Sequence, residues 1–339
     1  MSAGPRIALA AALLAPFVPA EPKKSGNPEE QLPANVIRLT GFGERAAWSP
    51  DDRRIAFMSK SFGDAFEIDL GTRMTRLLTG HFVHPGFLRV QYLPSGDFLL
   101  IGARTFTDIR TTRSRDQEMW VLKAGARTPP TPLDQKISEG VAISRTKALI
   151  AWSNTHGQYP ELLPEGESVL YTAEVIDRDG VPALANKKEV LRARAPECTL
   201  EAQDFRRDET ELIYTCYRSP YADVMGVDLR TGKVTAYRRI PDEYNEVEGI
   251  SPDGKWALVE SSREQGGGPE RQNSRYIDIW RLGLGSDGTD FVRLTRWGDH
   301  EGYKASNPVV SHDGKRIAFQ SARNDEPAGV GHGIFILSP

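Results

Sequence analysis

The chain has 339 residues, 39% of them apolar and 26% charged, with 31 Gly and 23 Pro. This is a turn-rich globular composition, long enough for one large core and unlike collagen-like or disordered chains. Its 43 basic and 46 acidic side chains leave a net charge of -3, which excludes the strong positive field that non-specific nucleic-acid binding needs, so no nucleic-acid partner is expected. Residues 1–20 place Arg6 before an apolar run ending in the small-residue positions Val18 and Ala20, the pattern of a cleaved secretory signal. Pro16 and Pro19 break the run, which is too short to cross about 30 Å of hydrocarbon comfortably. No transmembrane anchor is therefore expected after cleavage, and the mature chain is expected in the periplasm or outside the cell. Residues 21–35 read as a flexible polar lead-in.

The next segment, NVIRLT at 35–40, is a lone strand, followed by the first of six related units. Units one, five and six carry RAAWSPDDRRIAFMSKS (45–61), VEGISPDGKWALVESSR (247–263) and NPVVSHDGKRIAFQSAR (307–323). Each reads as an alternating strand, a tight turn and a second alternating strand. Taking the last apolar residue before the turn as anchor, the six copies fall at Trp48, Tyr92, Ile143, Phe205, Ile250 and Val310. A third apolar strand follows every hairpin: AFEIDL (65–70), EMWVLK (118–123), VLYTAEV (169–175), DVMGVDL (223–229), YIDIWRL (276–282) and GIFIL (333–337). Five units add a fourth, at 75–79, 131–134, 188–194, 234–240 and 291–295. The sixth ends after its third strand, and NVIRLT has the sequence of the missing fourth. The predicted architecture is an all-β, six-bladed β-propeller of four-stranded antiparallel blades, closed by the N-terminal strand pairing into the last blade.

The SPDGKxIAF hairpins and RLT strands resemble the TolB-like propeller family, whose repeats are cousins of WD-type blades. The resemblance covers 36–339 and is most specific in units one, five and six. It implies a single propeller without the N-terminal α/β domain that TolB carries. Oligogalacturonate lyases share related repeats, but their metal-binding histidine pattern finds no match here. The hydrolase domain that accompanies similar propellers in prolyl-oligopeptidase-like enzymes has no counterpart either.

Propeller connectivity puts the start of each first strand and the loop between strands two and three on one face. Four residues before the anchors stand Glu44, Leu88, Glu139, Glu201, Glu246 and Ser306. First strands line the central channel, so Glu44, Glu139, Glu201 and Glu246 are expected to converge at its mouth, where all four cannot stay ionised without a cation, a base or protons. An oxygen-only donor set suits a hard divalent cation, Ca²⁺ above all. Arg45, Arg89 and Asn307 stand one position later and Glu248 two. His84, His156 and His300 fall in loops of the same face, and WGDHEGYKASN adds Trp297, Tyr303 and Lys304, a mixture that suits a sugar-like ligand. Each feature also has a purely structural explanation: paired carboxylates, hydrogen-bonded loop histidines, and Trp297 and Tyr303 closing the last blade.

The leading expectation is an exported, monomeric propeller that binds a small polar ligand such as a saccharide, or an envelope protein, at this mouth. Two alternatives stay open. One is a carbohydrate lyase or glycosidase drawing its catalytic groups from Glu139, Glu201, His300 and Arg89. The other is a protein-interaction scaffold. The two cysteines, Cys198 and Cys216, flank a predicted hairpin turn and leave a disulfide and two buried thiols equally open.

Overall fold

The computed structural model describes residues 22–125, 127–266, 268–285, 287–326 and 329–339; the signal-like segment lies outside them. Six four-stranded antiparallel sheets surround one axis. The inner strands are Glu44–Trp48, Phe87–Tyr92, Val141–Ile143, Thr199–Arg206, Asn245–Ile250 and Tyr303–Val310. Closure follows the expected route, with Val36, Ile37 and Arg38 opposite Leu337, Ile336 and Phe335. Ile55 and Phe57 of blade one pack with Ala318, Ile334 and Ile336 of blade six, so the seam between chain ends is sealed by core side chains as well as by ladder hydrogen bonds.

The repeated polar letters have repeated jobs. In blades one, five and six the serine hydroxyl before the turn donates to the turn aspartate, Ser49 to Asp51 at 2.6 Å, Ser251 to Asp253 at 2.7 Å and Ser311 to Asp313 at 2.6 Å. The same hydroxyl oxygens accept from the amides of Arg54, Trp256 and Arg316, which start the second strands. Each turn thus satisfies its own backbone with a side chain, the property that makes Ser and Asp turn-formers. The threonine ending the RLT-type strands acts alike: Thr79, Thr295 and Thr40 accept from the amides of Ala65, Ile279 and Ile334 in the neighbouring third strands.

Blade three departs from expectation. Its outer strands run Glu167–Arg178 and Val181–Arg194, well beyond the predicted 169–175 and 188–194. Asp179 and Gly180 have φ of 55° and 87°, the positive pair that a tight two-residue hairpin requires. The chain keeps pairing to that turn instead of forming a loop.

Cys198 and Cys216 form a disulfide, with Cα atoms 5.1 Å apart. In the chain-entropy picture, cross-linking across this 18-residue separation stabilises by about 3 kcal/mol. Replacing both cysteines with serine, or reducing the bond, is expected to lower unfolding stability by that order in denaturant titration. An unchanged midpoint and slope would show that the bond constrains nothing.

The feature that builds the site is a bulge on the inner strands. Ladder register shifts between Glu44 and Ala47, Phe87 and Arg89, Ala202 and Asp204, Val247 and Gly249, and Ser306 and Val309. Arg45 and Asn307 sit in these bulges with φ of 54° and 48°, a left-handed backbone that re-aims side chains, as bulges at barrel rims do.

Candidate functional site

The inner strands and their hairpin partners enclose a cavity of about 360 Å³ at the channel mouth. Glu44, Glu139, Glu201 and Glu246 all line it, so the column read from the repeats does converge. Arg45, Arg89, Lys304 and Asn307 line it too. His84 instead faces Asp64 at 3.1 Å, and His156 Nδ1 faces the Leu163 carbonyl at 2.7 Å. Trp297 is only 2% exposed; its Nε1 donates to Ser321 Oγ and its ring meets Phe319 and Phe335 edge-on. Tyr303 lies under the Arg323 guanidinium. His300 Nδ1 is 3.1 Å from the Gly26 carbonyl, held by the lead-in, which pairs Lys24 with His300. None of these five lines the cavity. Of the four catalytic candidates, Glu139, Glu201 and Arg89 share it and His300 stands apart.

The cavity holds two sets of direct contacts, with Lys304 in the field of Glu260 and Glu246, and Arg89 in that of Glu248 and Glu201. On one side Glu139 answers three guanidinium groups: Arg45 at 2.5 Å, Arg89 at 3.7 Å, and Arg113 in the closest contact. Arg113 comes from the insertion between strands two and three of blade two, in a turn spanning Thr112–Asp116. Glu44 accepts from Ser61 Oγ at 2.8 Å and lies 3.6 Å from Arg45. Glu139 is therefore committed to arginines and is poorly placed to ligate a metal.

On the other side Glu201, Glu246, Glu248 and Glu260 meet two phenols. Tyr217 Oη lies 2.7 Å from Glu201 Oε2 and 2.5 Å from Glu246 Oε1, and Tyr244 Oη donates to Glu246 Oε2. A phenol has one proton to donate, so one of Tyr217's two contacts requires a proton on the carboxyl. The Asn307 amide donates to Glu260 Oε1 at 2.5 Å, and its side chain reaches Glu248 at 3.4 Å. Carboxylate oxygens of Glu246, Glu248 and Glu260 lie within 4.8 Å of one another, a grouping whose hard donors could hold a cation. It shares only Glu246 with the set expected from the repeats.

Seven carboxylates against four arginines and one lysine leave two negative charges in excess if all ionise, and the titration behaviour follows. Burial, then the charge of Glu246, pushes the Glu260 carboxyl up to about 8. Burial, then Glu260, holds Glu248 well above the carboxylate range, and burial with Glu246 raises Glu201. Burial and the adjoining carboxylates likewise drive the Tyr217 and Tyr244 phenols far up. Burial, then Arg45, lowers Arg113 to about 10 and lowers Arg89 as well. Each is the direction that desolvation and like charge impose.

No family model matches the chain, and no curated protein sequence does. Among solved structures, a protein assigned as TolB from Agrobacterium tumefaciens superposes with TM-score 0.53 and 19% identity over 76% of this chain and 77% of that one. The Xanthomonas campestris gluconolactonase XC5397 gives 0.56 and 12% over 96% and 97%. An oligogalacturonate lyase in complex with manganese gives 0.51 and 15% over 87% and 77%. Such identities speak to the fold alone, and the fold of this chain is the six-bladed, TolB-like propeller.

Proposed function

We propose that this TolB-like propeller is an exported ligand-binding protein whose pocket is the carboxylate-lined channel mouth, and that its ligand is small, polar and carries a positive centre. The observation that carries the reading is the meeting of seven carboxylates and five arginine or lysine side chains in one cavity of about 360 Å³, a concave polar site rather than the flat face a scaffold would present. The excess of acid supports a positive centre, for which Ca²⁺ and an organic ammonium are the two sources of the same chemistry. The disulfide supports export to an oxidising compartment, and among the described residues no helix is long and apolar enough to cross a membrane.

The test is a thermal-shift and calorimetric screen of the chelator-treated protein against CaCl₂, neutral sugars and small amines. A ligand at about 100 times its Kd adds about 2.7 kcal/mol to the stability of the folded state. At least one class with a positive centre is expected to raise the Tm, and the paired substitution Glu248→Gln with Glu260→Gln is expected to abolish that rise. Failure of every compound would defeat the reading, as would a rise that survives both substitutions.

A further inference from the structure

The cavity is asymmetric, and the asymmetry says more than an acid cluster alone can. The arginine side is under-supplied with acceptors: Glu139 is shared by three guanidinium groups. Arg45, whose side chain is 5% exposed, spends Nη1 on Glu139 and leaves Nε without an aligned hydrogen-bond acceptor, and Arg89 leaves Nε so. Buried donors in that state are costly unless a further acceptor joins them, and a planar carboxylate is the acceptor whose shape fits guanidinium groups. The opposite wall has a surplus of acceptors. An ammonium group has three N–H bonds at tetrahedral angles, and N–H···O distances of about 2.8 Å place its three acceptors roughly 4.6 Å apart. The oxygens of Glu246, Glu248 and Glu260, mutually within 4.8 Å, accommodate that tripod.

Calcium is the poorer fit, because it takes six to eight oxygens and several here are engaged. Both Glu246 oxygens accept from tyrosines, and Asn307 donates to one oxygen each of Glu248 and Glu260. A carboxylate oxygen that accepts one hydrogen bond keeps a second lone pair for an ammonium.

We infer that the ligand is a zwitterion, its carboxylate against Arg45, Arg89 and Arg113 and its ammonium among Glu246, Glu248 and Glu260. The inference rests on the channel mouth being a binding pocket and names the class of molecule it takes: amino-carboxylates from amino-acid to dipeptide size, which the cavity of about 360 Å³ accommodates.

The experiment is calorimetric titration of the full mature protein with alanine, alanylalanine and 6-aminohexanoate, with N-acetyl and C-amide derivatives of whichever binds, and with CaCl₂ and glucose alone. At least one zwitterion is expected to bind saturably, and blocking either end is expected to weaken it tenfold or more. Arg113→Gln is expected to erase the preference for the free carboxylate over the amide, and Glu260→Gln the preference for the free amine over the acetamide, each in a variant shown by circular dichroism to be folded. The inference is overturned if blocked compounds bind as well as the free ones, or if none of the three zwitterions binds. In the latter case, binding of CaCl₂ or of another compound with a positive centre leaves the pocket reading standing, whereas silence from every compound with a positive centre removes both.

Discussion

From about pH 5 to about pH 9 the wild-type protein is expected to lose stability as the pH rises, and Glu260→Gln to flatten that loss. The Glu260 carboxyl is raised from an ordinary 4.5 to about 8 in the folded chain by burial and then by Glu246. Between those values the folded state holds a proton that the unfolded state has released, so unfolding becomes easier with each step upward in pH. Its contribution is complete below the unfolded value and gone once the pH passes the folded one. One unit of such a shift corresponds to about 1.4 kcal/mol, which puts the loss at several kcal/mol, on the order of ten degrees in Tm for a chain of this length. Glu201 and Glu248 are shifted the same way and steepen the wild-type slope. Replacing Glu260 removes one of the charges that raise Glu248, so the variant gains stability at alkaline pH by more than its own share. The turn aspartates Asp51, Asp253 and Asp313 are lowered, chiefly by their serine partners. They therefore act in the opposite sense and at the acid end, where stability falls as the pH drops through their folded values. Scanning calorimetry of both proteins across this range checks the expectation, and parallel curves would refute it.

Asp278→Ala is expected to be the most damaging single substitution outside the cavity, costing about 4 kcal/mol. The Asp278 side chain is fully buried. It accepts from Thr295 Oγ1 at 2.7 Å, from the amides of Trp297 and Gly298 at 3.0 Å, from Gln265 Nε2 at 3.0 Å and from Arg293 Nη2 at 2.6 Å. Truncation leaves those donors without their acceptor and the buried Arg293 with Asp299 as its near partner. It also frees the segment that turns into Tyr303–Val310, the strand carrying Lys304 and Asn307 to the cavity. Asp278→Asn keeps the shape and part of the accepting capacity, so it is expected to cost less. Denaturant unfolding reads both, and an alanine variant within about 1 kcal/mol of wild type would contradict the assigned role.

The architecture was legible because the repeat writes its hydrogen bonds into the sequence. Ser49, Ser251 and Ser311 and their aspartates close the same turn three times, and Thr40, Thr79 and Thr295 hold the same amide three times. The Glu column was legible for a related reason, since equivalent positions of inner strands must share one axis. What escaped depends on geometry that a linear pattern does not carry. Glu260 is opposite Glu246 across the hairpin, so pairing the two strands of unit five was the available signal, whereas sorting by first-strand position alone passed over it. Tyr217 likewise sits on the second strand of blade four, and Tyr244 two residues before Glu246, both visible once the hairpins are folded. Arg113 enters from a long insertion whose path no repeat fixes. Trp297 and His300 belong to a run of aromatic and polar letters that suits a ligand, but Asp278 draws the tryptophan inward and the lead-in takes the histidine.

The pocket depends on carboxyl groups from separate blades being forced together around one axis. Carbon-13 NMR of the glutamate side-chain carboxyls, assigned through Glu201→Gln, Glu248→Gln and Glu260→Gln and titrated without added ligand, reads that crowding at each group. The predicted result is that all three titrate above the ordinary carboxylate value, with Glu260 at about 8 against 4.5, and that removing Glu260 or Glu201 lowers Glu248. Three independent titrations near 4.5, indifferent to one another's removal, would contradict it.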